Sequence, residues 1–317
     1  MPTLTRHART SITDKKSSRL FKSDNFAGYA FVGLWIVGFF LFTFVPMITS
    51  LYYSFTDYDL LSKAKWIGLD NFINIFTRDQ KFLKSLHVTI VYVLVSVPLK
   101  LIFALGVAMM FRKTRRGAGV YRSIFYLPSI VGGSVGVAMM WRQIFGSDGA
   151  INSLLIAMKV LDPSDTFNWT LYPSTAMPLL ILMAIWQFGS PMLIFLAGLK
   201  QIPNSYYEAA DVDGAGRFKQ FFYITLPSLT PIIFFNFIMQ IIGAFMTFTQ
   251  ALIITDGGPN NNTLLYSLYL YRRTFSYFEM GYGCALAWVL LVIIILLTAL
   301  VFKSSNYWVF YENKENQ

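Results

Sequence analysis

Charge is scarce in this chain. Asp, Glu, Lys and Arg make up 13% of its 317 residues, against 55% hydrophobic. Soluble domains carry about a quarter charged residues, so this balance excludes an ordinary soluble domain and favours a membrane class. A single cysteine, Cys284, excludes a disulfide framework and a cysteine-ligated metal site. As a small apolar helix residue it needs no further role. Histidine is nearly absent. His7 and His87 are the only two, and neither pairs with a carboxylate cluster, so metal and acid–base catalysis are unsupported. There is no G-x-x-x-x-G-K-S/T phosphate loop, so the chain is not expected to hydrolyse ATP or to be an enzyme.

Long apolar runs are what the chain has instead, with 17% aromatic residues suited to bilayer interfaces. No charge falls between Asp24 and Asp57, and residues 28–54 are long enough to cross about 30 Å of hydrocarbon. Further spans are read at about 87–110, 124–142, 176–199, 228–250 and 282–302. The expectation is an all-α membrane protein of six transmembrane helices. A membrane domain at 26–304 lies between an N-terminal tail, 1–25, and a C-terminal tail, 305–317. The apolar stretch after the tail is too long for a signal-peptide h-region, and no A-x-A site follows it.

Six spans put both termini on one side, and basic residues choose it. The tail carries Arg6, Arg9, Lys15, Lys16, Arg19 and Lys22. The second-to-third connection carries Arg112, Lys113, Arg115, Arg116 and Arg122. Lys200, Arg217 and Lys219 precede the fifth span, and Lys303 and Lys314 follow the sixth. The opposite loops balance acid and base. The excess behind the net charge of +10 is therefore a topology signal, with both termini cytoplasmic, and nucleic acid is not needed to explain it.

The polar loop at 200–227 is the most informative segment. Ser205-Tyr206-Tyr207-Glu208 spells a capping box, Gly214 and Gly216 end a first short helix, and a second runs to about Ile224. Leu226-Pro227 then turns the chain into the fifth span. On this reading Glu208 has a purely local job open to it, satisfying backbone donors at its own helix start.

The full spacing adds another. Glu208-Ala209-Ala210, Gly214 and Ile224-x-Leu226-Pro227 fix seven identities over twenty residues. The pattern closely resembles the EAA loop of binding-protein-dependent ABC importer permeases. Ser54-Phe55-Thr56-Asp57-Tyr58, Phe125-Tyr126-Leu127-Pro128 and Thr255-Asp256-Gly257-Gly258-Pro259 extend the likeness to the carbohydrate branch, the maltose-type permeases. The resemblance implies a type I ABC importer permease fold in a prokaryotic cell membrane. Its partners would be a second homologous permease, a cytoplasmic ATPase dimer and an extracytoplasmic solute-binding protein. ATP and Mg would sit on the ATPase subunits, with no cofactor on this chain. Glu208, Ala209, Ala210 and Gly214 would form the coupling helix in the ATPase groove; capping and docking by Glu208 are compatible.

Along the fifth span Asn236, Gln240, Gly243, Thr247 and Gln250 recur at helical spacing, placing five small or polar residues on one face. Such a stripe either packs against other helices or lines a path. The fourth span offers Trp186, Gln187, Ser190 and Pro191. An indole face with amides and hydroxyls suits a neutral sugar, and the resemblance implies a sugar path along these two spans. The path candidates are Trp186, Gln187, Ser190, Gln240 and Thr247. Lys100 lies twelve residues from Arg112, too deep for easy snorkelling, with a subunit-interface or a cavity role open. It keeps alive a permease for another solute such as glycerol phosphate. An ion-coupled secondary carrier would want a carboxylate inside a span, and none is there.

Overall fold

The computed structural model describes residues 28–29, 31–112, 117–164 and 167–310. The tail at 1–25 with its basic residues and His7 lies outside them, as do Lys113, Arg115, Arg116 and Lys314. Two compact units divide the chain at residues 1–53 and 54–317.

In the first, helix α1 (Phe31–Ser54) is apolar on every side, the pattern of a helix whose solvent is lipid. Trp35 stacks on Phe39 one turn away, and a single π turn at Phe40–Phe44 interrupts it.

The second unit begins with a two-stranded ladder, β1 (Thr56–Asp57) against β2 (Lys65–Trp66), antiparallel with Thr56 opposite Trp66. Asn71, in helix α2 (Asp70–Thr77), pins it by donating its amide to the Ser54 and Thr56 carbonyls, both at 3.0 Å. Helix α3 (Gln80–Met110) then forms the axis of the fold. Its 31 residues run about 45 Å. Around it pack α7 (Pro173–Trp186), α8 (Gly189–Leu199) and α10 (Arg217–Phe245). Buried Ala104 and Ala108 let α3 come close to its neighbours, with Met183, Phe195 and Leu199 filling the gaps. Between them in sequence lie α4 (Ala118–Val131), α5 (Val135–Ile144), α6 (Ala150–Ala157) and α9 (Asn204–Val212). Helices α11 (Tyr266–Tyr271) and α12 (Met280–Trp308) close the chain.

Four helices are long and apolar enough to cross a membrane, or six when each bent pair counts as one span. The bent pairs are the third and fourth spans. The third turns by 95° between α4 and α5, and the fourth by 42° between α7 and α8. A break of the helical ladder was expected at Pro191 in the fourth span, and none in the third. Gly132-Gly133 interrupts the third, with Ser134 capping the new helix by accepting from the Val137 N–H at 3.4 Å. Pro191 interrupts the fourth: it has no N–H to give the Gln187 carbonyl four residues back. Ser129 replaces it. Its hydroxyl donates to the Gln187 carbonyl at 2.9 Å and accepts from the Ser190 N–H at 3.0 Å. One side chain thus satisfies both orphaned groups at the break, as membrane interiors demand. Ser129→Ala is expected to cost about 1–3 kcal/mol by leaving them unpaired. A lowered thermal midpoint of the solubilised complex, restored by Ser129→Thr, would show it.

The fifth span also departs from expectation. Leu226-Pro227 does not turn the chain, because a π turn at Phe221–Thr225 carries Arg217–Gln220 straight into the span. In that register the Leu226 N–H donates to the Phe221 carbonyl, and Pro227 sits in the first turn of the following α segment. Pro231 would leave the Pro227 carbonyl unpaired; the Thr230 hydroxyl donates to it at 2.7 Å.

Candidate functional site

Three helix breaks meet at mid-depth and leave a cavity of about 510 Å³. They are Gly132–Ser134 in the third span, Gln187–Phe188 in the fourth, and Met246–Phe248, where α10 ends. Irregular backbone at this depth is tolerated where it lines a cavity or is buried in protein. The breaks are tied together. Gln187 lies against Gly132, where an added Cβ would come within 2.5 Å of the glutamine side chain, so only glycine leaves it room. Gln250 donates its amide to the Gly132 carbonyl at 3.2 Å.

Gln187, Gln240 and Thr247 line this cavity, together with Gly243, Gln250 and Lys100. Trp186 and Ser190 do not. Trp186 packs on Trp141, ring centres 5.7 Å apart, and Ser190 is exposed beside Ser129. The five-residue stripe is not one helical face either. Helix α10 stops at Phe245, so the spacing holds through Gly243, and Thr247 and Gln250 reach the cavity only because the helix breaks. Asn236 is fully buried, and its amide atoms have no partner among the described residues. Sequence reasoning missed Tyr92 and Ser96, which line the same cavity from α3. Their fourfold spacing with Lys100 was the available signal. Ser129 was missed as well, although Pro191 implied an orphan carbonyl at Gln187.

At one end of α3 lies the loop 200–227. The capping box does not form. Helix α9 starts at Asn204, after Pro203, so Ser205 falls inside the first turn and no side chain caps the helix. Glu208 and Ala209 are exposed and Ala210 is half-buried, and Glu208 has no partner among the described residues. Gly214 has φ +73°, in the left-handed region, and the Ala215 N–H closes the turn on the Ala210 carbonyl at 2.8 Å. The loop is fastened through Tyr207, whose hydroxyl lies 2.8 Å from that of Thr225 beneath the Arg112 guanidinium. Gln220 adds a clasp, donating to Asp211 at 2.5 Å and to the Ala215 carbonyl at 3.0 Å.

At the other end a polar cluster joins the start of α3 to the last loop. Asp79 accepts from the Phe82 N–H at 3.0 Å and from the hydroxyls of Tyr269 and Tyr282. Arg273 pairs with Glu279 at 2.9 Å over the Tyr282 ring. Nearby, Asp256 pairs with Arg272 at 2.6 Å, which staples the Thr255–Pro259 turn. Burial pushes the Asp79 carboxyl up, but Tyr269, Tyr282, Phe82 and Arg273 together hold it below its ordinary 3.8. A depressed carboxyl gives stability that is complete above the unfolded value and is lost as pH falls through the folded one. Glu279 has the opposite sign, since burial raises it despite Arg273. The thermal midpoint should therefore drop on acidification below about pH 4. A pH series on Asp79→Asn should lack that acid limb.

The family described as "Binding-protein-dependent transport system inner membrane component" matches residues 72–309. The chain is 58% identical over 302 residues to the probable ABC transporter permease protein YesP of Bacillus subtilis (strain 168), covering 95% of this chain and 97% of that protein. It is 32% identical over 293 residues to the arabinooligosaccharides transport system permease protein AraP of the same strain, covering 90% and 91%. A solved bacterial alginate ABC transporter, in complex with alginate pentasaccharide-bound periplasmic protein, contains a chain of like fold. The TM-score is 0.77 at 22% identity, over 91% of this chain and 97% of that one. The chain belongs to the binding-protein-dependent transport system inner membrane components. It is an all-α, multi-pass membrane protein with the type I permease fold, and it is a permease subunit of an ABC importer.

Proposed function

We propose that this chain forms half of the translocation path for a sugar or oligosaccharide. The cavity at the three helix breaks carries that reading. Gln187, Gln240, Thr247 and Tyr92 converge on it, and amides and hydroxyls pair with sugar hydroxyls while an aromatic face stacks on C–H edges. The saccharides named for AraP and for the alginate transporter support the substrate class. No Asp or Glu lines the cavity among the described residues, which disfavours ion-coupled carriage.

On this reading a second, homologous permease supplies the other half. An extracytoplasmic solute-binding protein delivers the sugar, and a cytoplasmic ATPase dimer holds ATP and Mg. The loop 200–227 docks on that dimer through Glu208, Ala209, Ala210 and Gly214. Both termini then face the cytoplasm of a prokaryotic cell, consistent with the basic residues around that loop. ATP binding closes the dimer, the loop moves with it, and the cavity changes sides. Co-purification followed by ATPase assays in proteoliposomes, with binding protein and candidate saccharides, tests the reading. Saccharide-stimulated hydrolysis is expected. A chain that retains no ATPase partner would sink the assignment of the loop.

A further inference from the structure

Lys100 is the one charged side chain among the described residues lining the cavity. It sits ten residues before the end of α3 at Met110, about 15 Å along the axis, so its stem does not carry the ammonium to the surface easily. Tyr92, Ser96 and Lys100, each four residues apart, form one stripe of α3 facing Gln187 and Gln240 across the cavity. Lys100 has no hydrogen bond or ion pair with any described residue. The two ion pairs among the described residues, Arg272–Asp256 and Arg273–Glu279, stand at the far end of α3.

An ammonium at membrane depth is costly unless an anion neutralises it. The described lining of this cavity supplies none. We propose that the cavity takes an anionic saccharide, with the Lys100 ammonium pairing to a uronate carboxylate while Gln187 and Gln240 hold ring hydroxyls. This rests on the saccharide-permease reading and narrows its substrate class. One monovalent cation matches one carboxylate; a phosphate dianion would call for a second cation, and the described lining has no other.

The test uses the complete transporter in proteoliposomes, fed by saturating binding protein. Three probes are compared: trigalacturonate, its neutral methyl ester, and maltotriose phosphate. Because every variant shares one binding protein, its own preference cancels from variant-to-parent ratios. Uptake of trigalacturonate is expected, with Lys100→Met lowering it about tenfold or more and Lys100→Arg retaining most of it. Parental uptake of uronate by Lys100→Met overturns the pairing, as does equal loss of uronate and ester. Import of the ester or the phosphate without uronate also overturns it, while leaving a saccharide permease standing. If an assembled, ATP-hydrolysing transporter imports no saccharide of either kind, the broader reading falls and this one with it. Should Lys100→Met fail to assemble, Lys100→Gln takes its place, and parental uptake of trigalacturonate by that assembled variant overturns the pairing.

Discussion

Ala209→Trp is expected to uncouple the transporter, abolishing saccharide-stimulated ATP hydrolysis while leaving this chain folded. Ala209 is exposed on α9, and the fastening of the loop runs through Tyr207 and Gln220 on other faces. At this exposed position an indole stands clear of that fastening among the described residues, yet on the surface that must approach a groove closely. Central interface positions cost about 2–4 kcal/mol when disrupted, or about 30- to 1000-fold in subunit affinity. Co-purified ATPase should fall accordingly, with no change in the thermal midpoint of the permease. A Trp variant that keeps its ATPase and its stimulation would remove Ala209 from the docking surface. Gly214→Ala is a poorer probe. At φ +73° a Cβ strains the turn by about 1–2 kcal/mol, so a loss there would mix docking with folding. Glu208→Gln is cleaner than the sequence alone implied, because the capping job once open to that carboxylate is not in use.

Hydropathy located four single-helix spans and the two bent pairs, because length and apolarity are collective properties of twenty or more residues. The third and fourth spans were legible as apolar stretches, and Pro191 marked the break in the fourth, but the 95° turn in the third was not legible. Their geometry depends on which residue repairs the backbone after Gly132 and Pro191. At the fourth span Ser129 makes the repair, reaching the Gln187 carbonyl from 58 residues away, and no window along the chain connects the two. The start of α9 failed for a local reason. Ser205 and Glu208 have the right spacing for a box, but the N-cap falls on Pro203, two residues too soon. The EAA spacing identified the loop, since docking fixes residue identities. The path residues were only half legible, because a helical-face argument presumes that the helix continues. It does so as far as Gly243. Beyond Phe245 the chain breaks, and Thr247 reaches the cavity for a reason that spacing does not contain.

Gln240 is where face and cavity agree, and Gln240→Leu should be the most damaging change along the path that leaves the chain intact. The side chain is half-buried, lines the cavity, and makes no hydrogen bond to any described residue. Its removal therefore leaves no described residue unpaired. A sugar hydroxyl brought into the cavity does lose its partner, at about 1–3 kcal/mol, or about 5- to 150-fold. Uptake measured against the concentration of loaded binding protein should fall by that factor, with subunit assembly and thermal stability at parental levels. Asn236, one turn earlier, is the built-in control. It lies on the same helix but is fully buried with both amide atoms unpaired. Asn236→Leu relieves an unpaired amide and should raise the thermal midpoint without lowering uptake. If Gln240→Leu transports at the parental rate, or Asn236→Leu is the variant that loses transport, the path runs along a different face of α10.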